Sequence, residues 1–509
     1  LTKGVKTRIV YDIEHTDIHF MPGFYFQSNL PVERTEFKVT VPNSVKLGWQ
    51  LRGNLKELIK EQVEVGRNST TYTWSAANLP RVQTFENAPA TSYYLPHILI
   101  YIKEYTAPRE NRTERVFGNV DDLYRFYYPF IKDINKTTDA NLKQQVATLI
   151  AGADTEKEKA QRIYQWVQKN LKYVAFEDGL GGFIPRDASL VCNRKYGDCK
   201  DMASVLVAMC GEAGIKAYYT WIGTRHKPYR YDETPLPVAD NHMICTINIG
   251  DEWIFLDGTD ARIPFGFPPY SIQGKEALVG LSKDKYKVIK VPELKPSVTA
   301  VSDSTALKLT GKSLQGSVHL NMRGYSAWSL EDMMLYYNEK EKEDAVKAVV
   351  ARGSNKYLQT SFDFKVSDGQ DKGITAHSTF TMDDYAKQAG KEWYINMNLL
   401  RSFEDLWVDI KKRDVALENN YKSQIRQVVE LEIPKGFHVQ YLPETAETKS
   451  DKMLSYKISY EQKGNKVKLI KEYEVNTLYV APEDFNAHNK IIEDLKKQYK
   501  ESIVLVADQ

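Results

Sequence analysis

The stretch KYGDCKDMASVLVAMCGEAGI, residues 195–215, decides how this chain is read. Gly197-Asp198 turn the backbone, and Asp198 carries the short carboxylate that caps a helix beginning beside Cys199. Met202, Val205, Leu206 and Met209 recur at helical spacing and predict a buried stripe that fixes this helix, which Gly211 and Gly214 close. A cysteine at a helix start stands in the positive end of the macrodipole, which favours thiolate over thiol. The unpaired backbone N–H groups beside it can hold an oxyanion.

Forming that thiolate by proton transfer requires a histidine within hydrogen-bond reach. His242 heads HMICTINI, residues 242–249, whose alternation predicts a half-buried strand, and residues 253–257 predict the next. With Gly250-Asp251 as the hairpin turn, His242 faces Thr259 across the ladder. Asp257, two residues from Thr259, then shares the face of His242 and can hold its tautomer. A one-residue slip of register would send Asp257 to the opposite face.

A cysteine on a helix, a histidine on a strand and an aspartate at the next strand, within GDCKD, NHMI and WIFLDGTD, resemble the transglutaminase-like superfamily. The likeness runs over roughly residues 138 to 270. It implies a papain-like core, a thiol helix packed on an antiparallel sheet, with Cys199 as nucleophile, His242 as base and Asp257 as third member. It also implies two oxyanion donors: the Cys199 backbone N–H and a side chain upstream, for which Tyr173 is the candidate. Phe183 could pack at the same place but has no donor. The flanking stretches FYFQSNLPVERTEFKVTVP from Phe24, NLPRVQTFENAP from Asn78 and ELEIPKGFHVQYLPE from Glu430 resemble a bacterial multi-domain group. There the core lies between uncharacterised β domains of the DUF3857 and DUF3858 types. Proteins of that group carry signal peptides, so the resemblance implies export to the periplasm or cell surface.

Around this centre the sequence divides in three, giving an α+β protein whose core lies between β-sandwich-like domains. Residues 1–132 read as strands, as in Phe37, Val39, Val41. Residues 133–291 form the core, with helical stripes Leu142, Val146, Leu149, Ile150 and Ala160, Ile163, Tyr164, Val167, and with Asp154-Thr155 as the cap between them. A Gly-rich stretch, Asp178 to Gly182, leads to the thiol helix. Residues 292–509 return to strands, with a helical pattern near Leu330 to Val350, a hairpin turning at Lys463-Gly464-Asn465 and a late charged helix from Pro482.

Composition narrows the function. With 69 Lys+Arg against 67 Asp+Glu and no long basic run, nucleic acid is excluded as a partner. No apolar run approaches the ~20 residues that span a bilayer. Of the four cysteines, Cys192, Cys210 and Cys245 read as small buried hydrophobes, and their spacing suits neither a disulfide framework nor a zinc site. There is no acidic loop of the EF-hand type, and the hydrolytic branch of the superfamily implies no cofactor. The expected function is a cysteine protease or amidase that forms a thioester and acts on protein or peptide. The alternatives are a crosslinking transglutaminase or acyltransferase, and a catalytically silent scaffold associated with the envelope. A separation of Cys199 from His242 well beyond ~4 Å would favour the scaffold.

Overall fold

The computed structural model of the chain describes residues 9, 17–107, 112–175, 179–367 and 372–508. Asp178 lies outside them. The N-terminal region comprises β1 (Gly23–Tyr25), β2 (Val32–Pro42), β3 (Val45–Arg52), β4 (Lys60–Val65), β5 (Ser69–Leu79), β6 (His97–Ala107) and β7 (Arg112–Arg115). β1, β3 and β7 pair with β6, while β2, β5 and β4 make a second sheet. Along β2, Phe37, Val39 and Val41 turn inward while Glu36, Lys38 and Thr40 face out. The inner faces of both sheets meet around Leu47, Trp74, Leu79, Ile98 and Ile100, a β-sandwich arrangement.

The strand-like composition extends too far along the sequence. Val120–Ile131, expected within the strand region, is a helix, α1. Asn119 Oδ1 accepts from the Asp122 N–H at 3.0 Å and Asp122 Oδ2 accepts from the Asn119 N–H at 3.2 Å, a capping box. Its tyrosines and phenylalanines imitate a strand by composition. The spacing of buried Leu123, Tyr124, Tyr127 and Ile131 is helical. That face shares a core with Tyr219, Trp221 and Leu278, so α1 packs on the central sheet.

The central region continues with α2 (Ala140–Ile150), α3 (Glu156–Asn170), α4 (Ala188–Arg194) and α5 (Cys199–Glu212). Thr155 caps α3 by accepting from the Glu158 N–H at 3.1 Å. Two-residue strands β8 (Lys172–Tyr173) and β9 (Tyr196–Gly197) pair in parallel. An antiparallel sheet follows, built from β10 (Lys216–Ile222), β11 (His242–Ile249), β12 (Glu252–Leu256), β13 (Glu276–Ser282) and β14 (Lys285–Lys290) in the order β12-β11-β10-β13-β14. Met202, Val205, Leu206 and Met209 are fully buried between α5, the other helices and this sheet. Burying such side chains contributes about 1.5–3 kcal/mol each, an upper estimate, and ties α5 to β10 and β11.

The C-terminal region is built on an eight-stranded sheet in which Ala300–Thr310 and Ser423–Glu432 run parallel and the other pairs antiparallel. The helical pattern expected near Leu330–Val350 is two helices, Tyr325–Met334 and Glu339–Val350, the second capped by Asn338. The late hairpin pairs Lys463 with Lys466, so its turn is Gly464-Asn465, tighter than the three residues expected. A smaller four-stranded sheet and the helix Phe485–Gln498 complete the region. The whole is an α+β protein, a helix-on-sheet core with β-rich regions on both sides. No helix among the described residues is long and apolar enough to cross a membrane.

Candidate active site

The site begins at the N-terminus of α5. Asp198 and Asp201 form a capping box, each accepting the other's backbone N–H at 3.3 Å. Both carboxylates are buried, and each has a cation. Lys200 Nζ bonds Asp198 Oδ2, and Arg186 Nη1 lies 2.6 Å from Asp201 Oδ2. Arg186 also donates its backbone N–H to Asp201 Oδ1 at 2.9 Å, which ties the segment before α4 to the thiol helix. A Cβ on residue 197 would come within 2.6 Å of the Asp201 Cβ, so the turn before Cys199 needs glycine. Cys199 is thereby fixed in the first helical turn, where backbone N–H groups have no intrahelical acceptor.

His242 begins β11 and Asp257 follows the last residue of β12. The ladder pairs Ile249 with Glu252 and Cys245 with Leu256, leaving Gly250-Asp251 as a two-residue turn. Continued outward, that register sets His242 opposite Thr259, and His242 Nε2 lies 2.7 Å from Asp257 Oδ2. The other carboxylate oxygen, Oδ1, accepts from the Thr259 N–H at 3.0 Å and the Thr259 hydroxyl at 2.7 Å. Although burial opposes it, the charge and hydrogen bonds of His242 and those of Thr259 hold the Asp257 carboxyl below its ordinary range. Asp257 is therefore an acceptor only, so Nε2 is the protonated nitrogen and Nδ1 is left for a second partner. Burial lowers the basicity of His242, but Asp257 chiefly, with the hydrogen bond and charge of Cys199, raises it to about 10. A Cβ on residue 258 would meet Met202 at 3.1 Å and Val167 at 3.2 Å, so the end of β12 sits hard against α5 and α3.

Cys199 and His242 line one cavity of about 210 Å³ together with Gly182, Phe183, Lys200, Trp221, Asp240, Asn241 and Met243. Trp221 stacks on Tyr127 at 4.9 Å, and its buried Nε1 has no hydrogen-bond partner among the described residues. Asp240 accepts from the hydroxyls of Tyr231 at 2.5 Å and Tyr127 at 2.8 Å, and burial raises its pKa to about 6. Tyr173 pairs with Gly197 in the short β8–β9 ladder, is 42% exposed and is not part of the cavity lining, whereas Phe183 is. Burial pushes the thiols of Cys192 up to about 11 and of Cys210 to about 12, and raises that of Cys245 well above its ordinary range. His97 is buried between the Leu95 carbonyl and the Tyr229 hydroxyl, away from the cavity.

The model of the transglutaminase-like superfamily matches residues 143–258, the stretch that carries Cys199, His242 and Asp257. Residues 143–258 form a transglutaminase-like core. The model of a domain of unknown function, DUF3858, matches residues 391–505 of the C-terminal region. Among solved structures, a putative protease from Parabacteroides distasonis matches with a TM-score of 0.57 and 13% identity, covering 95% of this chain and 74% of that one. A putative cysteine protease from Cytophaga hutchinsonii matches with a TM-score of 0.21 and 16% identity, covering 47% of this chain and 73% of that one. No curated protein matches. The first likeness extends over nearly the whole chain, so the transglutaminase-like core and its β-rich flanks recur together as one architecture.

Trp221 and Asp240 were not legible as site residues in the sequence. Trp221 depends on β10 lying beside β11, where it pairs with Met243 and Ile222 with His242; Asp240 precedes His242 by two residues and is held by hydroxyls of Tyr127 and Tyr231. The one available signal was the alternation in KAYYTWI, residues 216–222, directly after the thiol helix.

Proposed function

We propose that this protein is a thiol hydrolase of peptide or amide bonds, with Cys199 as nucleophile, His242 as base and Asp257 as the group that orients the imidazole. The observation that carries this reading is the chain of contacts from Cys199 to His242 to Asp257, with Nε2 committed to the carboxylate and Nδ1 free for the thiol. The Cys199 thiol gives its proton to Nδ1, and the imidazolium so formed is stabilised by buried Asp257. The thiolate attacks the carbonyl carbon. The oxyanion is held by the Cys199 backbone N–H and, in this proposal, by the indole N–H of Trp221, a residue of the cavity wall whose buried Nε1 has no other partner among the described residues. His242 protonates the departing amine, leaving a thioester, then takes a proton from the incoming acceptor.

Water is the acceptor this reading favours, because exposed Asn241 borders the cavity and solvent reaches it there. The P. distasonis protein, described as a putative protease, fits the same direction. A lysine amine in place of water would make the same site a crosslinking transglutaminase. The envelope location implied by the sequence resemblance is part of this proposal.

The test is alkylation by iodoacetamide over a pH series, with the modified cysteine located by mass spectrometry. Selective labelling at Cys199 well below its ordinary thiol range, roughly pH 8.5, and slowing in His242→Ala are expected. Labelling no faster than at Cys192, with no effect of the histidine change, would sink the reading in favour of a silent scaffold.

A further inference from the structure

A second cavity, also about 210 Å³, adjoins the first. Its walls include Met21, Leu99, Ile100, Phe183, Leu236 and Val238, so it is predominantly apolar. Phe183 borders both cavities. Leu236 and Val238 belong to the chain that leads directly into Asp240, Asn241 and His242, and the 3-10 turn Pro237–Ala239 fixes that approach.

The walls are packed against neighbouring elements. Leu99 and Ile100 lie in β6 within the cores of the N-terminal sandwich and its junction with the central sheet. Phe183 is packed by Phe20 at 4.7 Å and by Phe130 at 6.0 Å. His19, which also borders the cavity, has its Nδ1 bonded to Asp17 at 2.7 Å, and Asp240 is pinned by its two tyrosines. A preformed apolar cavity with so few polar groups offers bound water poor partners and an apolar side chain good ones.

We infer that this cavity is a substrate subsite, which receives one large apolar side chain of a peptide bound across Cys199. The N-terminal β-sandwich supplies one of its walls. The assignment rests on the hydrolase reading and deepens it, because it names the substrate class: peptides with an aliphatic or aromatic residue close to the scissile bond. It also gives the N-terminal region a task at the site. β6 lends the catalytic core a surface that residues 143–258 alone do not have.

Disulfide exchange at Cys199 tests this without a known substrate. Mixed disulfides of cysteamine carrying a hydroxyethyl, isobutyl or phenethyl thiol compete for the protein under excess cysteamine; the Cys199 thiolate attacks the probe-side sulfur and releases cysteamine, and peptide mapping identifies the adducts. The isobutyl and phenethyl adducts should exceed the hydroxyethyl adduct at Cys199 by about tenfold or more. Val238→Asp and Met21→Glu, both at half-buried positions, should erase that preference while melting temperature stays near wild type. Equal retention of the three adducts in the wild-type protein, or a preference that survives both variants, overturns the subsite. Apolar preference without selective iodoacetamide labelling breaks the hydrolase reading and, with it, the substrate assignment, leaving an apolar cavity beside an ordinary thiol.

Discussion

Two buried charge clusters in this molecule set similar ingredients in different surroundings. In the core, Asp257 holds His242 at the rim of an open cavity. In the C-terminal sheet, Arg352 clamps Asp303 with one nitrogen 2.9 and 2.8 Å from its two oxygens, and the same nitrogen reaches the Thr305 hydroxyl at 2.9 Å. Lys471, fully buried nearby, donates to the Leu400 carbonyl at 2.5 Å. Every strong donor of the C-terminal cluster is spent on protein acceptors. The core cluster lies on the wall of a cavity with one imidazole nitrogen not bonded to Asp257, one thiol, and the Trp221 side chain, whose Nε1 has no partner among the described residues. Burying charge is costly in both places. What separates a structural ion cluster from a reactive one is whether a group remains unspent beside a space that a ligand can enter.

The largest expected effects break this comparison most directly. Asp257→Asn keeps the shape but offers an amide N–H in place of an acceptor oxygen, which favours the wrong imidazole tautomer. Turnover should fall by about 10³- to 10⁴-fold, and Cys199 alkylation near pH 7 by about tenfold, with little change in melting temperature. Arg352→Met strands the Asp303 carboxylate and should cost about 3–5 kcal/mol of stability, with Cys199 labelling per folded molecule unchanged. Unfolding followed by circular dichroism alongside the labelling rate separates the two. Were Asp257→Asn to lower stability as Arg352→Met does and leave labelling intact, Asp257 would be one more structural ion.

The sequence showed the core cluster and concealed the other, for a physical reason. His242 and Asp257 are joined by a two-residue hairpin turn, so counting residues from Gly250-Asp251 places them on one face. Cys199 is marked by a cap and a stripe that are local to one helix. By contrast, Asp303, Arg352 and Lys471 come from segments far apart in the chain and meet only through the long-range pairing of the eight-stranded sheet. Trp221 was hidden likewise, since β10 reaches β11 across the loop of residues 223–241, while Asp240, two residues before His242, carries no local pattern that marks it. Helix α1 was misread because Tyr124, Tyr127 and Phe130 have strand-like composition, and the Asn119–Asp122 capping box was the local signal that went against it.

The smallest expected effect sharpens the comparison, because the two clusters carry opposite pH linkage over nearly one window. His242 is raised from 6.5 to about 10, so its contribution is fully present below pH 6.5 and is lost as pH climbs through about 10. Lys471 is lowered from 10.5 to about 7, chiefly by burial. The unfolded chain then binds the extra proton between those values, so the Lys471 penalty is full below about pH 7 and fades as pH rises towards 10.5. Melting temperature measured at pH 6.5, 8 and 9.5 should therefore separate the variants. Lys471→Met should gain most over wild type at pH 6.5 and progressively less above it. His242→Ala should lose most at pH 6.5, and its deficit should shrink as pH rises. Two differences that run in the same direction with pH would mean that the clusters hold their protons alike, and the distinction between a spent and an unspent charge would then rest on the cavity alone.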